Sequence, residues 1–259
     1  MAKRTIILIH GFRGTHDGLE RIASHLAEYD TIIPDLPGFA KGDTLERYDL
    51  ESYVEWLHGF IAQQSLERPP VLLGHSFGSI VSSAYAAKYG DTIEKLILVN
   101  PIGAPALEGP RGMFSKLAVF YYWLGTKLPE SIAHQWLASK VIVDVMSQTM
   151  TKSKNKALRK FIFDQHRRYF SLFHSPRSVL EAFETSVSHN VRQFAADIHV
   201  PTLLIAGDKD DITPIAKQKE LVELFEDADL KIIEGVGHLT HYETPDQVAA
   251  FADEFIKLV

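Results

Sequence analysis

The 259-residue chain carries 27 Lys and Arg against 33 Asp and Glu, a formal net charge of −6, with 46% hydrophobic residues and no cysteine. The negative balance argues against general nucleic-acid binding. The missing cysteines exclude disulfides, thiolate nucleophiles and cysteine metal sites, while the length and apolar fraction suit one large domain, or one domain with an insertion.

In chain order, "MAKRTIILIHGF" holds an apolar run too short for a signal-peptide core, and it reads as a strand over residues 5–10. A helix over 17–29 follows, with Leu19, Ile22, Leu26 and Tyr29 at helical spacing, then a strand over 31–35. Val54, Leu57, Ile61 and Leu66 predict a helix over 50–66, followed by a strand at 71–74, a helix at 77–89 and a strand at 96–100. Between 103 and 191 the rhythm breaks into helix-like segments without strands, a stretch too long for an unstructured loop. The alternation resumes with strands at 202–207 and 230–234 and helices at 215–225 and 245–258, the last two opening after "ITP" and "ETP". Most strands are continuous apolar runs, as expected when both faces are buried. The fold expected is α/β: a mostly parallel central sheet flanked by helices, with residues 1–102 and 192–259 as core and 103–191 as a helical cap. No apolar stretch is long enough to span a bilayer, so a cytoplasmic protein without stable membrane insertion is expected.

The third strand runs into "VLLGHSFGSI", which sets Ser76 between Gly74 and Gly78, just before a helix beginning near Phe77. Glycine and serine are ordinary loop punctuation. Strand, turn and helix in this order, however, are what a Gly-x-Ser-x-Gly elbow requires, with the glycines removing side chains where the turn is tightest. The hydroxyl would lie at the carboxyl ends of the strands, where open parallel sheets bind ligands, beside a helix N-terminus that favours developing negative charge. A serine needs a base, oriented by a third group, to become a nucleophile. Candidates follow the last two strands: Asp208, Asp210 and Asp211 in "LLIAGDKDDITP", His238 and His241 in "IIEGVGHLTHYETP".

With these segments and with "IILIHGFRG" and "IIPDLPGFAKGD", the chain resembles the α/β-hydrolase superfamily, in its serine-nucleophile, capped, carboxylesterase-like form, over both flanks of the insertion. The order Ser, Asp, His is that of the family's triads. The resemblance implies a core of six strands, trimmed of the family's leading ones. It assigns the acid to Asp210, because Gly207, Asp210 and Pro214 match a Gly-x-x-Asp-x-x-x-Pro frame, and the base to His238 after Gly237. It also implies an oxyanion hole from the backbone N–H groups of Phe12, in "HGF", and Phe77. Asp208 and Asp211 are then solvated neighbours, His75 a packing residue and His241 a cap or surface histidine. Ser79, standing where many relatives carry glycine, implies a small change in helix packing.

The chemistry so implied is hydrolysis of a carboxylic ester or related acyl bond in a small-molecule substrate, with no cofactor and no metal. Two alternatives remain. One is a carbon–carbon bond hydrolase of a vinylogous diketone acid, though Leu239 follows His238 where such relatives often carry tryptophan. The other is a slow-turnover ligand-binding protein on the same fold. The insertion carries a charge of +6 against −12 for the remainder, so Arg167, Arg168 and Arg177 are either an anion-attracting set or a solvated face. Its segment "MFSKLAVFYYWLG" could line an apolar acyl pocket, face a lipid surface, or pack on the core.

Overall fold

The computed structural model describes residues 3–104 and 112–258, with backbone alone for residues 112–117. β1 (Thr5–Ile9), α1 (His16–Ser24), β2 (Asp30–Ile32), α2 (Leu50–Gln63), β3 (Val71–His75), α3 (Phe77–Tyr89) and β4 (Lys95–Val99) come first. The insertion follows as α4 (Gly112–Gly125), α5 (Glu130–Leu137), α6 (Lys140–Met150), α7 (Lys156–Tyr169) and α8 (Pro176–Ser188). β5 (Thr202–Gly207), α9 (Ile215–Val222), β6 (Ala228–Ile233), α10 (Thr240–Glu243) and α11 (Pro245–Lys257) complete the chain. The expected stretch 105–111 lies outside the described residues, as do the side chains of Met113 and Phe114.

The six strands form one parallel sheet in the order β2-β1-β3-β4-β5-β6. Successive side chains point to opposite faces of a strand, and here both faces are covered. Ile7, Ile9, Leu72, Leu96, Leu98 and Leu204 enter a core with Tyr53, Leu57, Phe77 and Ile80 of α2 and α3. Ile6, Leu8, Val71, Leu73, Ile97, Val99, Leu203 and Ile205 enter a second core with Leu19 and Ile22 of α1 and Val248, Ala252 and Ile256 of α11. That two-sided burial is why β1, β3, β4 and β5 read as apolar runs, whereas the edge strands β2 and β6 are partly exposed.

Several ends differ from the sequence expectation. β2 stops at Ile32 because the following backbone turns to side-chain partners: Leu36 N–H donates to His10 Nε2 (2.8 Å), and Asp35 accepts the amides of His16 and Lys41. α1 ends at Ser24, and residues 25–29 close as turns, Leu26 N–H donating to Ala23 and Tyr29 N–H to Leu26. α2 stops at Gln63, ahead of a left-handed Ser65 and the proline pair at 69 and 70. The insertion seats on the core through loop 38–40: Ala40 N–H donates to Leu172 O (2.7 Å), His174 N–H to Gly38 O (2.9 Å), and Phe39 bridges Phe173. Among the described residues no helix is long and apolar enough to cross a membrane.

Candidate active site

β3 ends at His75 and α3 begins at Phe77, so the single residue Ser76 makes the whole turn, with φ 53° and ψ −117°. A side chain in that conformation is strained, and the glycines on either side make room for it. A Cβ on Gly74 would lie 2.4 Å from the carbonyl oxygen of Gly78, and one on Gly78 would lie 2.2 Å from that of Ile9. Helix α3 therefore starts hard against the end of β1. Ser76 N–H donates to Val99 O (3.0 Å), fixing the turn to the neighbouring strand. Ser79, expected only to alter packing, does more: its buried hydroxyl donates back to Ser76 O and accepts from Ile102 N–H, tying the elbow to the segment after β4.

The three polar residues singled out from the sequence meet at this end of the sheet. His238 Nε2 lies 2.8 Å from Ser76 Oγ, and its Nδ1 lies 2.7 Å from Asp210 Oδ2. Asp210 sits in the turn after β5 and His238 in the turn after β6, and both are buried. Burial alone would raise the Asp210 carboxyl. The His238 imidazole and hydrogen bonds from Thr213 outweigh it and hold the carboxyl below its ordinary range. Ile212 and Thr213 donate their amides to Oδ1 (2.7 and 3.0 Å), while the Thr213 hydroxyl and Asn100 Nδ2 (2.8 Å) donate to Oδ2. Every face of the carboxylate is thus occupied, and the His238 imidazole has one preferred orientation and tautomer.

Asn100 is a residue the sequence reading passed over. Placed just beyond β4 with φ 45°, it also donates to Gly237 O (3.3 Å) and accepts from Thr240 Oγ1 (2.6 Å), so it bridges the turns after β5 and β6. Its signal was a lone polar residue ending an apolar strand ahead of a proline. Thr213, three residues beyond Asp210, lies where an aspartate side chain locally takes up the backbone amides that follow it, as Asp210 Oδ1 does with those of Ile212 and Thr213.

The loop after β1 lies against the elbow. A Cβ on Gly11 would come within 3.2 Å of Ser76 Cβ, and the rings of Phe12 and Phe77 stand edge to face at 6.5 Å. Among the described residues neither the Phe12 nor the Phe77 amide has a hydrogen-bond acceptor. His10 locks this loop, donating from Nδ1 to Gly11 O (2.8 Å) while Nε2 accepts Leu36 N–H. Phe12 is roofed by Tyr122 of α4 and Phe183 of α8, whose own rings stack at 3.9 Å. The "MFSKLAVFYYWLG" helix divides accordingly: Tyr121 and Tyr122 are buried, while Phe120 and Trp123 face outward.

The remaining histidines and charges fall elsewhere. His75 is buried, donates from Nε2 to His238 O (3.2 Å), and is pushed down to about 3 by burial and by His238. His241, expected in the cap or at the surface, is instead buried against the His75 ring at 4.1 Å, because the short α10 turns it inward beneath the elbow. Asp208 accepts Gly235 N–H and pairs with Lys209, and Asp211 pairs with Lys152. Arg167 pairs with Asp144 and Arg177 with Glu181 on the exterior, while Arg168 lies over the Tyr169 ring. His16, Asp17 and Glu20 bring ligand-type atoms within 4.8 Å of one another on the outside of α1. His16 Nδ1 is already held by Asp35, and Asp17 by the Thr15 hydroxyl.

The sequence profile of the α/β hydrolase fold matches residues 4–245. The chain belongs to the α/β hydrolase family. Relatives of this hydrolase include Lipase 1 of Psychrobacter immobilis, 27% identical over 96% of this chain and 75% of that protein. The pimeloyl-acyl-carrier-protein methyl ester esterase of Chromobacterium violaceum is 26% identical over 96% of this chain and 92% of its own. Among solved structures, the enol-lactonase of Burkholderia xenovorans superposes with a TM-score of 0.82 at 17% identity, covering 100% of this chain and 93% of that one, a likeness of fold alone.

Proposed function

We propose that this α/β hydrolase is a serine carboxylesterase working through an acyl-enzyme. The observation that carries the reading is the continuous hydrogen-bonded path from Ser76 Oγ through His238 to Asp210 at a strained elbow serine. His238 Nε2 takes the hydroxyl proton as Oγ attacks the carbonyl carbon. The oxyanion so formed is met by the Phe12 and Phe77 amides, and Asp210 holds the imidazolium. The same proton then passes to the alkoxide leaving group, and the alcohol departs. Water, deprotonated by His238, attacks the acyl-enzyme, and collapse of that second oxyanion returns the proton to Ser76 and frees the acid. Residues 103–191 act as the cap, and the Tyr122–Phe183 stack over Phe12 gives the acyl side an apolar, aromatic wall. The lipase and esterase names of the relatives support this direction.

A carbon–carbon hydrolase of an acid substrate would need a cation free to face Ser76. Arg13, buried beside the site, has its guanidinium spent on oxygens of the insertion, and no observation favours that second reading. The test is a p-nitrophenyl ester series from acetyl to longer acyl chains, with a fluorophosphonate label located by mass spectrometry. Turnover and labelling at Ser76, both abolished in Ser76→Ala, are expected, with a drop of at least about 10³ in kcat. Equal turnover in the wild type and the variant would overturn the reading.

A further inference from the structure

Arg13 follows Phe12 directly, and at 1% exposure it is the largest fully buried side chain among the described residues. Its backbone lies in the left-handed region (φ 58°), which a side chain larger than glycine occupies only when something holds it there. What holds it is the insertion. Nε donates to Phe170 O (2.8 Å), Nη1 to Tyr122 Oη (3.1 Å) and Nη2 to Leu137 O (2.7 Å), while the Phe173 ring lies 5.7 Å from Cζ. Those acceptors belong to three separate elements. Leu137 is the last residue of α5, Phe170 caps the C-terminal end of α7, and Tyr122 lies on α4. Two helix C-termini, each presenting one last carbonyl and the negative end of its dipole, converge on one buried cation. The described partners are all neutral oxygens, so the planar fork of an arginine, rather than its charge alone, fits this place.

The position of Arg13 in the chain gives the contact its consequence. The turn from residue 11 to 14 closes with Gly14 N–H on Gly11 O (2.9 Å), and Gly11 abuts Ser76 Cβ. The peptide that presents the Phe12 amide is therefore fixed on one side by the elbow and on the other by the Arg13 guanidinium. We infer that Arg13 is a positioning residue that couples the seating of the insertion to the oxyanion hole: the Phe12 amide is aimed at the developing oxyanion only while Arg13 is gripped by α4, α5 and α7. The inference rests on the serine-esterase reading above. An oxyanion donor acts on the transition state more than on bound substrate. Loss of the grip should accordingly lower kcat rather than raise KM.

The experiment compares wild type with Arg13→Lys, Arg13→Gln and Arg13→Gly on a p-nitrophenyl ester, alongside inhibition by an alkyl boronic acid, which forms a tetrahedral adduct on serine. The expected result is a kcat about 10- to 100-fold lower with KM changed less than about threefold. Boronate affinity should fall in parallel with kcat, and millimolar guanidinium should restore part of the activity of Arg13→Gly. Lysine should not rescue, since one ammonium cannot reach three acceptors on different helices. If the Arg13 variants do not fold, Tyr122→Phe removes one acceptor alone, and its kcat and boronate affinity should fall together by about threefold. Variants that keep wild-type kcat and boronate affinity would overturn the inference, as would a KM rise at constant kcat. If wild-type Ser76 is neither labelled by fluorophosphonate nor needed for turnover, the esterase reading fails and the inference falls with it. Labelled wild type with indifferent Arg13 variants sinks the inference alone.

Discussion

Asn100 shows how much of a site's geometry can depend on one neutral side chain. Its amide spends both ends on buried partners, Nδ2 on Asp210 and Gly237 O and Oδ1 on the Thr240 hydroxyl. Removing it strips a hydrogen bond from a buried carboxylate and leaves the Thr240 hydroxyl without that acceptor. Bonds to charged groups contribute about 1.5–3 kcal/mol each, and alanine is also less at ease than asparagine at φ 45°. Asn100→Ala is therefore expected to lose about 3 kcal/mol of stability in urea unfolding and roughly tenfold in kcat, as His238 loses its fixed orientation. A variant with an unchanged urea midpoint and unchanged kcat would show that Thr213 and the two turn amides suffice to hold Asp210.

At the scale of elements, the short helix α10 has a task its four residues do not announce. Glu243, its last residue, turns its carboxyl to the linker between α6 and α7, where Oε1 accepts the amides of Lys152 (2.9 Å) and Ser153 (2.6 Å). The neighbouring Lys152 side chain pairs with Asp211 and lies against Gly237, where a Cβ would meet its Cγ at 2.7 Å. The insertion is thus fastened to the loop carrying His238 as well as to the loop carrying Phe12. Glu243→Ala leaves two amides without their acceptor, at a cost of about 2–4 kcal/mol. The loosened linker should be cut by trypsin after the exposed Lys154 about tenfold faster than in the wild type. Equal cleavage rates would mean that the linker is held by its own turn geometry and not by Glu243.

For the whole molecule, the sequence disclosed what is local or periodic. The central apolar runs are legible because β1, β3, β4 and β5 bury both faces, while the partly buried edge strands β2 and β6 carry the less continuous runs, and the elbow is legible because the collisions relieved by Gly74 and Gly78 lie within a few residues of Ser76. What stayed hidden depends on partners far along the chain. Asn100 meets Asp210 across 110 residues, and Arg13 meets Phe170 across 157; no spacing rule connects them. His241 was misplaced for the same reason, since its burial is created by packing on His75 rather than by its neighbours in "HLTHYETP". The buried histidines that result give the fold a pH dependence. His75 and His166 are both pushed from 6.5 to about 3, each chiefly by burial. Around His75 stand His238, Asp210, His10 and His241. His166 donates from Nδ1 to Ser147 Oγ (2.7 Å), while its Nε2 has no partner among the described residues and its ring lies between Phe170 and Tyr242. In the unfolded chain both rings take up a proton as pH falls through 6.5, whereas in the folded chain they stay neutral until about 3. Their contribution to stability is therefore complete above pH 6.5 and is lost as pH falls toward 3, by up to about 1.4 kcal/mol per pH unit for each ring. His241, held well below 6.5 by burial, acts in the same direction, and Asp210 adds its own loss only below its unfolded value of 3.8. Urea midpoints measured at pH 7, 6 and 5 should thus fall steadily once past 6.5. In His166→Gln, whose amide can still donate to Ser147 Oγ, the decline should be shallower by up to about 1.4 kcal/mol per pH unit. An identical slope in the variant would mean that His166 is protonated in the folded protein and that the linker helices α6 and α7 accommodate its charge.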